Sequence, residues 1–237
     1  MQNNNKKNIN FFKVSSYVNQ NNLDHGSILK QAYDQKMFVG ENKNLLKNFI
    51  EHFSKITEIK SQLYQDVFAS FIIDKNFNKT FLEFGATDGL ELSNSFMLEN
   101  TLNWSGVLSE PSPQWHEVLN ENRKYTKIIK KCIWSESGKI LDFFMSDRGN
   151  FSTLNEFIDS DKYSMPLNTE SRKKAGKLIT VETISLNDVI KEYFNNTSPS
   201  YISGELLVIL FNSQTLLILS SSTPSILFFK YSEINSF

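Results

Sequence analysis

Apolar positions recur at spacings of three and four from Ile28 to Ile73, and Leu45, Phe49, Phe53 and Ile56 share one face of the helix this predicts. Such a face reads as a helical cap packed on a larger domain. Ahead of it, residues 1 to about 24 are polar and asparagine-rich, the composition of a loose arm. At Thr80 the rhythm shortens. Phe81-Leu82-Glu83-Phe84 reads as a buried strand, Ser93–Asn100 as a helix entered through a polar cap, and Gly106-Val107-Leu108-Ser109-Glu110 as a second strand. Pro111 and Pro113 punctuate the turn, a helix over Trp115–Arg123 follows, and Lys127–Trp134 alternates into a third strand. Two strand–helix crossovers in succession predict an α/β fold with a parallel, doubly wound sheet.

Gly138 marks a hairpin turn into a strand over Ile140–Met145. Ser146–Lys177 is polar and too long for a simple connection, and it reads equally as a substrate-binding lid or as a disordered segment. Leu178–Thr183 returns to strand, and Ser185-Leu186-Asn187-Asp188 has the form of a capped helix start. After Pro199 the composition shifts. Residues 200–237 hold three charged residues, Glu205, Lys230 and Glu233, in a chain that is 22% charged. The organisation is therefore an arm and cap over 1–60, an α/β domain over 61–199 and an atypical apolar, serine-rich tail over 200–237.

Composition narrows the partners. A formal net charge of −1 over 237 residues provides no field for nucleic acid or an anionic membrane, so a small-molecule or glycan substrate is expected. A single cysteine, Cys132, excludes an intrachain disulfide, disfavours a thiolate-rich zinc site and suits a reducing cytoplasm. No apolar core follows the lysines of the first ten residues, so no secretory signal is expected. Leu206–Leu219, the most apolar stretch, is broken by Asn212-Ser213-Gln214-Thr215 and predicts no membrane span. His25 and His52 lack neighbours at metal-ligand spacing and read as structural.

Candidate chemistry concentrates in Glu83-x-Gly85-x-x-Asp88-Gly89 at the end of the first strand. The two glycines let the backbone turn sharply and approach a ligand. The spacing differs from the dinucleotide fingerprint G-x-G-x-x-G, and Glu83 and Asp88 would repel a diphosphate at this point. S-adenosylmethionine has no phosphate and carries a sulfonium and an ammonium, which carboxylates attract. Glu110, 27 positions after Glu83, is placed to accept hydrogen bonds from ribose hydroxyls. Each residue also has a plain structural use: a tight turn for the glycines, a helix cap for Asp88, a solvated strand end for Glu110.

Ser61-Gln62-x-x-Gln65-Asp66-Val67-Phe68, Phe81-Leu82-Glu83-Phe84-Gly85-Ala86-x-Asp88-Gly89, Ser93-Asn94-Ser95 with Leu98-Glu99, and Trp104-Ser105-Gly106-Val107-Leu108-x-Glu110-Pro111 resemble consecutive blocks of the FkbM family of S-adenosylmethionine-dependent methyltransferases. Weaker matches at Ser152-Thr153-Leu154 and Thr183–Asp188 extend the resemblance over roughly residues 60–199. It implies a Rossmann-like class I methyltransferase sheet and methyl transfer to hydroxyl groups, often of sugars in surface polysaccharide, glycolipid or natural-product pathways. It further implies a cofactor pocket of Glu83, Gly85, Ala86, Asp88, Gly89, Asn94, Glu110 and Pro111, with Cys132 near the adenine.

The chain then leaves the family pattern. Where relatives carry an acidic Asp-x-Glu-Gly-x-Glu block at the fourth strand, it reads Ser203-Gly204-Glu205-Leu206-Leu207-Val208. No catalytic base can be named from that region. His116 and Asp147 are weak substitutes, and Arg172, Lys173, Lys174 and Lys177 suit either an acidic sugar or plain solvation. A frameshifted tail from about residue 203 and an incomplete sheet are expected on one reading, a divergent tail with Leu206–Phe211 as a buried strand on the other. Functionally, a methyltransferase stands against a non-catalytic binding protein on the same scaffold and against a nicotinamide-dependent oxidoreductase.

Overall fold

The computed structural model describes residues 43–61, 64–73, 77–147, 149–160, 166–204, 207–211, 215–220 and 226–230. The expected arm over 1–24, His25, Ile28 and the Leu45 side chain lie outside the described residues. Two helices open the described chain, α1 (Lys43–Phe53) and α2 (Gln65–Ile72). Phe49 and Phe53 of α1 are buried as their spacing predicts, and Phe49 meets Phe71 of α2 edge-on with ring centroids 5.2 Å apart. Burying each such aromatic contributes about 1.5–3 kcal/mol, enough to dock a short helix that would not be stable alone. His52 links the pair through Ser70 Oγ at 2.8 Å.

The main sheet has seven strands. Its parallel part comprises β1 (Thr80–Phe84), β2 (Ser105–Ser109), β3 (Lys127–Ile129) and the later strand Tyr201–Gly204, which lies beside β1 on the side opposite β2. Phe81 and Leu82 of β1 are both fully buried, so both faces are covered. On one face Phe81, Leu108 and Tyr201 pack with α1, α2, α3 (Phe96–Asn100) and α4 (His116–Asn122). On the other, Leu82, Val107, Ile129 and Ile202 meet Val189. The fold is thus mixed α/β around parallel strands, as expected.

A smaller sheet follows. The expected single strand over Lys127–Trp134 is two, because the chain leaves the main sheet at Ile129 and re-enters pairing as β4 (Cys132–Trp134). Its partners are β5 (Ile140–Ser146), β6 (Thr153–Leu154) and β7 (Gly176–Ser185), in the order β4-β7-β5-β6. The Gly138 turn closes no β4–β5 hairpin. Gly138 and Lys139 instead hydrogen-bond Thr183, so β7 separates the two strands. The polar stretch expected as lid or disorder contains β6, two short 3-10 turns and α5 (Pro166–Lys174). After β7, α6 (Leu186–Tyr193) begins as its sequence predicts: Ser185 Oγ accepts from the Asp188 amide at 3.1 Å and donates to its carboxylate at 2.8 Å.

The sheet continues across the composition change at residue 200. β8 (Tyr201–Gly204) is buried along its whole length and pairs in parallel with β1, Phe81 opposite Tyr201 and Glu83 opposite Ser203. β9 (Leu207–Phe211), β10 (Thr215–Ser220) and β11 (Ile226–Lys230) then add an antiparallel meander. The tail thus extends the sheet, and the Leu206–Phe211 run forms a strand from Leu207 onward. No helix among the described residues is long and apolar enough to cross a membrane.

Candidate functional site

In the strand order β8-β1-β2-β3 the chain runs away from β1 in both directions, so the crevice at the carboxyl end of β1 is the position where α/β sheets admit ligands. The loop there is built on Gly85 at φ 74° and Gly89 at φ 72°, both in the left-handed region. Gly85 and Ala86 amides donate to Ser109 O at 2.9 and 3.3 Å, tying the loop to the end of β2. Gly89 has a packing requirement as well: a Cβ there would stand 2.5 Å from Leu119 Cδ1 and 2.7 Å from Arg123 Cγ. Asp88 caps no helix, since the next one begins at Phe96; it closes the turn instead, its Oδ1 accepting from the Leu90 and Glu91 amides at 2.9 Å each.

Glu83 is buried and its carboxylate is engaged by the next segment. Ser93 Oγ and Ser95 Oγ donate to Oε2 at 3.0 and 2.5 Å, and the Asn94 amide donates to Oε1 at 2.7 Å. Asn94 therefore joins the site through its backbone. Arg123, only 2% exposed, holds the far side of this network. Its guanidinium donates to Gly89 O, Ser93 Oγ, Ser95 Oγ and Glu99, and lies 5.6 Å from the centre of the Phe81 ring.

Glu110 performs the same bracing at β2. Its Oε2 accepts from the Thr87 amide at 2.9 Å and its Oε1 from the Ser112 amide at 2.7 Å, so one side chain clamps the glycine loop to the turn carrying Pro111. The solvated strand end considered for it does not occur, as the residue is buried. His116 is pinned to Glu110 O at 2.9 Å. Cys132 begins β4 in the smaller sheet rather than ending the third strand, and burial, with Glu110 second, pushes its thiol up to about 11. It is an unreactive, half-buried apolar group in effect.

Outside this crevice the predicted basic run divides. Arg172 is buried and donates to Phe151 O and Ile158 O at 2.7 and 2.8 Å, so it braces the β5–β7 excursion and is not a solvated charge. Lys173 pairs with Asp159, whereas Lys174 and Lys177 are exposed. Asp147 is exposed at the end of β5. Among the described residues no group of three His, Cys, Asp or Glu could hold a metal ion.

A further buried carboxylate comes from α2. Asp66, at the start of α2, is fully buried; Ser61 Oγ and the Val67 amide donate to its Oδ1 at 2.5 and 2.8 Å, and its Oδ2 has no partner. Burial pushes its carboxyl up to about 7 against those hydrogen bonds, with nearby Glu83 adding to the rise. Tyr201 and Ser203 of β8 face the same side, fully buried, and the Ser203 side chain interacts with the Tyr201 phenol, which burial and then Asp66 hold well above its ordinary range. The available signal was Asp66 itself, a charged residue inside an otherwise apolar helical face.

Across the crossover as a whole, residues 80–122 contain seven carboxylates and neither lysine nor arginine. Comparison with protein-family models, with curated proteins and with solved structures finds no significant match to this chain.

Proposed function

We propose that the chain binds S-adenosylmethionine at the carboxyl end of β1 and β2 and transfers its methyl group to a hydroxyl of a sugar or glycan precursor. The observation that carries this reading is the charge of the crossover. A glycine-rich turn at a switch point in a parallel sheet is a nucleotide-binding arrangement, and a diphosphate ligand would meet an excess of carboxylates there, since Arg123, the cation beside the loop, is already bound to Glu99, Ser93, Ser95 and Gly89 O. A cationic nucleoside suits them. The residues present fit that group: Gly85 is exposed at the turn, and Glu83, Asp88 and Glu110 give the crevice a negative potential. The resemblance of residues 60–199 to FkbM methyltransferases, with a doubly wound Rossmann-like sheet, points the same way.

When bound, S-adenosylmethionine supplies an electrophilic methyl on its sulfonium. The chain's own task is placement. Glu83 and Glu110 hold the loop by accepting five hydrogen bonds between them from its neighbours, and this preorganises the loop backbone before any ligand arrives. A ribose contact by Glu110 would use the remaining lone pairs of oxygens already engaged.

A second reading, a binding protein without turnover, is favoured by one feature: β8, Tyr201–Gly204, carries no carboxylate or imidazole to accept the hydroxyl proton. Calorimetric titration with S-adenosylhomocysteine decides the first point, with saturable binding expected and NADH giving none. Methyl transfer to a panel of glycans then separates enzyme from binding protein. Failure of the intact, folded chain to bind S-adenosylhomocysteine would overturn both readings.

A further inference from the structure

Among the described residues, Phe157 is the one exposed large apolar side chain in ring contact with another aromatic. It is 41% exposed, and its ring lies 6.1 Å from that of half-buried Trp134 at an angle of 51°. Solvent reaches both rings, so the pair does not close off a core.

The pair is held from both sides. Trp134 packs, with Cys132, on the buried cluster of Phe143, Leu154 and Val181 in the smaller sheet. Phe157 is carried by a turn that Arg172 of α5 pins through Ile158 O at 2.8 Å and that the Ser160 amide closes onto Phe157 O at 3.0 Å. Two residues beyond Phe157, Asp159 pairs with Lys173, and both side chains remain half-exposed.

This aromatic corner is continuous with the crevice. Ser109 Oγ at the end of β2 donates to Lys131 O at 2.7 Å, which ties the entry of β4 to the strand that leads into Glu110. Cys132 and Trp134 alternate onto one face of β4, so Trp134 stands roughly 7 Å beyond Cys132 along the strand. From the other direction, Gly149 leaves no room for a side chain against the Trp115 indole, and Gln114 Nε2 donates to Ser146 O at 3.3 Å. The excursion bearing Phe157 therefore leans on the turn that follows Glu110.

We propose that Trp134 and Phe157 form a platform for a sugar ring, a unit of the glycan acceptor other than the one that takes the methyl group. The inference rests on the proposed function for the fate of that glycan, and deepens it by giving the acceptor a place. Aromatic faces carry negative potential and attract the C–H groups of a pyranose, which the neighbouring oxygens leave partly positive. The hydroxyls of the ring need donors and acceptors at its edge, and Lys173 and Asp159 supply both without net charge. An apolar peptide has no use for that pair.

The test is tryptophan fluorescence of the full chain titrated with neutral oligosaccharides of glucose, mannose, galactose and rhamnose, alongside calorimetry with the same sugars and with S-adenosylhomocysteine. The expected result is a saturable spectral shift with reduced acrylamide quenching for at least one of these sugars. The shift disappears in Trp134→Phe, which locates it at that residue; of the three tryptophans, Trp104 is buried and Trp115 is covered by Gly149. Sugar affinity falls about tenfold in Phe157→Ala, a change that removes an exposed ring. If that variant does not fold, the Trp134 signal of the unaltered chain still decides. No Trp134 response to any of the sugars, sugar affinity retained in Phe157→Ala, or protection by a leucine-rich peptide alone overturns the platform, and S-adenosylhomocysteine binding then leaves the cofactor reading standing. Sugar binding at Trp134 without S-adenosylhomocysteine binding upholds the platform and overturns methyl transfer.

Discussion

Arg123–Glu99 beneath the main sheet and Lys131–Glu182 on the smaller sheet are ion pairs of nearly equal length, 2.5 and 2.6 Å, in different surroundings. The first has side chains 1% and 13% exposed, the second 39% and 46%. Water can replace either partner of the surface pair at little cost, whereas the buried pair belongs to a network in which every removed group strands another. The main sheet accordingly commits its polar chemistry to the interior around one loop. The smaller sheet keeps its ion pairs outside, around an apolar core of Phe143, Leu154 and Val181.

The contrast is broken most directly by Arg123→Ala, which strands Glu99 and removes donors from Ser93, Ser95 and Gly89; a stability loss of about 3–5 kcal/mol in urea is expected. A loss below about 1 kcal/mol would show that the network is not integral to the fold. Gly89→Ala combines left-handed strain with overlap against Leu119 and Arg123, and costs about 2–4 kcal/mol by the same measurement. Glu110→Gln sets an amide N–H against the Thr87 or Ser112 amide and costs about 1.5–3 kcal/mol, with faster hydrogen exchange at Thr87 as its local signature.

Asp66→Asn sharpens the comparison through pH. The folded-state carboxyl titrates at about 7, above the ordinary 3.8, so the folded chain holds its proton more tightly than the unfolded one. The stability this supplies is fully present below about pH 4 and is lost as pH rises through 7. The variant carries no such titration, and its melting temperature should gain on that of the unaltered chain from about pH 4 to about pH 8. A constant gap would mean that Asp66 stays ionised. The smallest effect belongs to Lys131→Ala, below about 1 kcal/mol and vanishing in high salt.

Much of the local structure was legible. The run Phe81–Phe84 makes a buried strand wherever it packs, Ser185 with Asp188 signals a helix start through its own hydrogen bonds, and Gly85 and Gly89 announce a turn that other residues resist. Pairing was not legible. Lys127–Trp134 alternates throughout, and period-two alternation is the same whether one sheet or two receives it. In the described parts of Ser146–Lys177, Arg172 reaches Phe151 and Ile158, contacts spanning 21 and 14 positions that no local pattern encodes.

The candidate site divides in the same way. By itself the sequence determined the elements, the turn at Gly85 and Gly89 and the sign of the charge around them, because these depend on backbone sterics and on residue type alone. Tertiary structure decided what each carboxylate does: Glu83 and Glu110 accept from the loop they flank, while Asp66 is brought from a separate helix to stand against β8. Burial and hydrogen-bond partners set a carboxylate's role, and both exist only once distant segments have met.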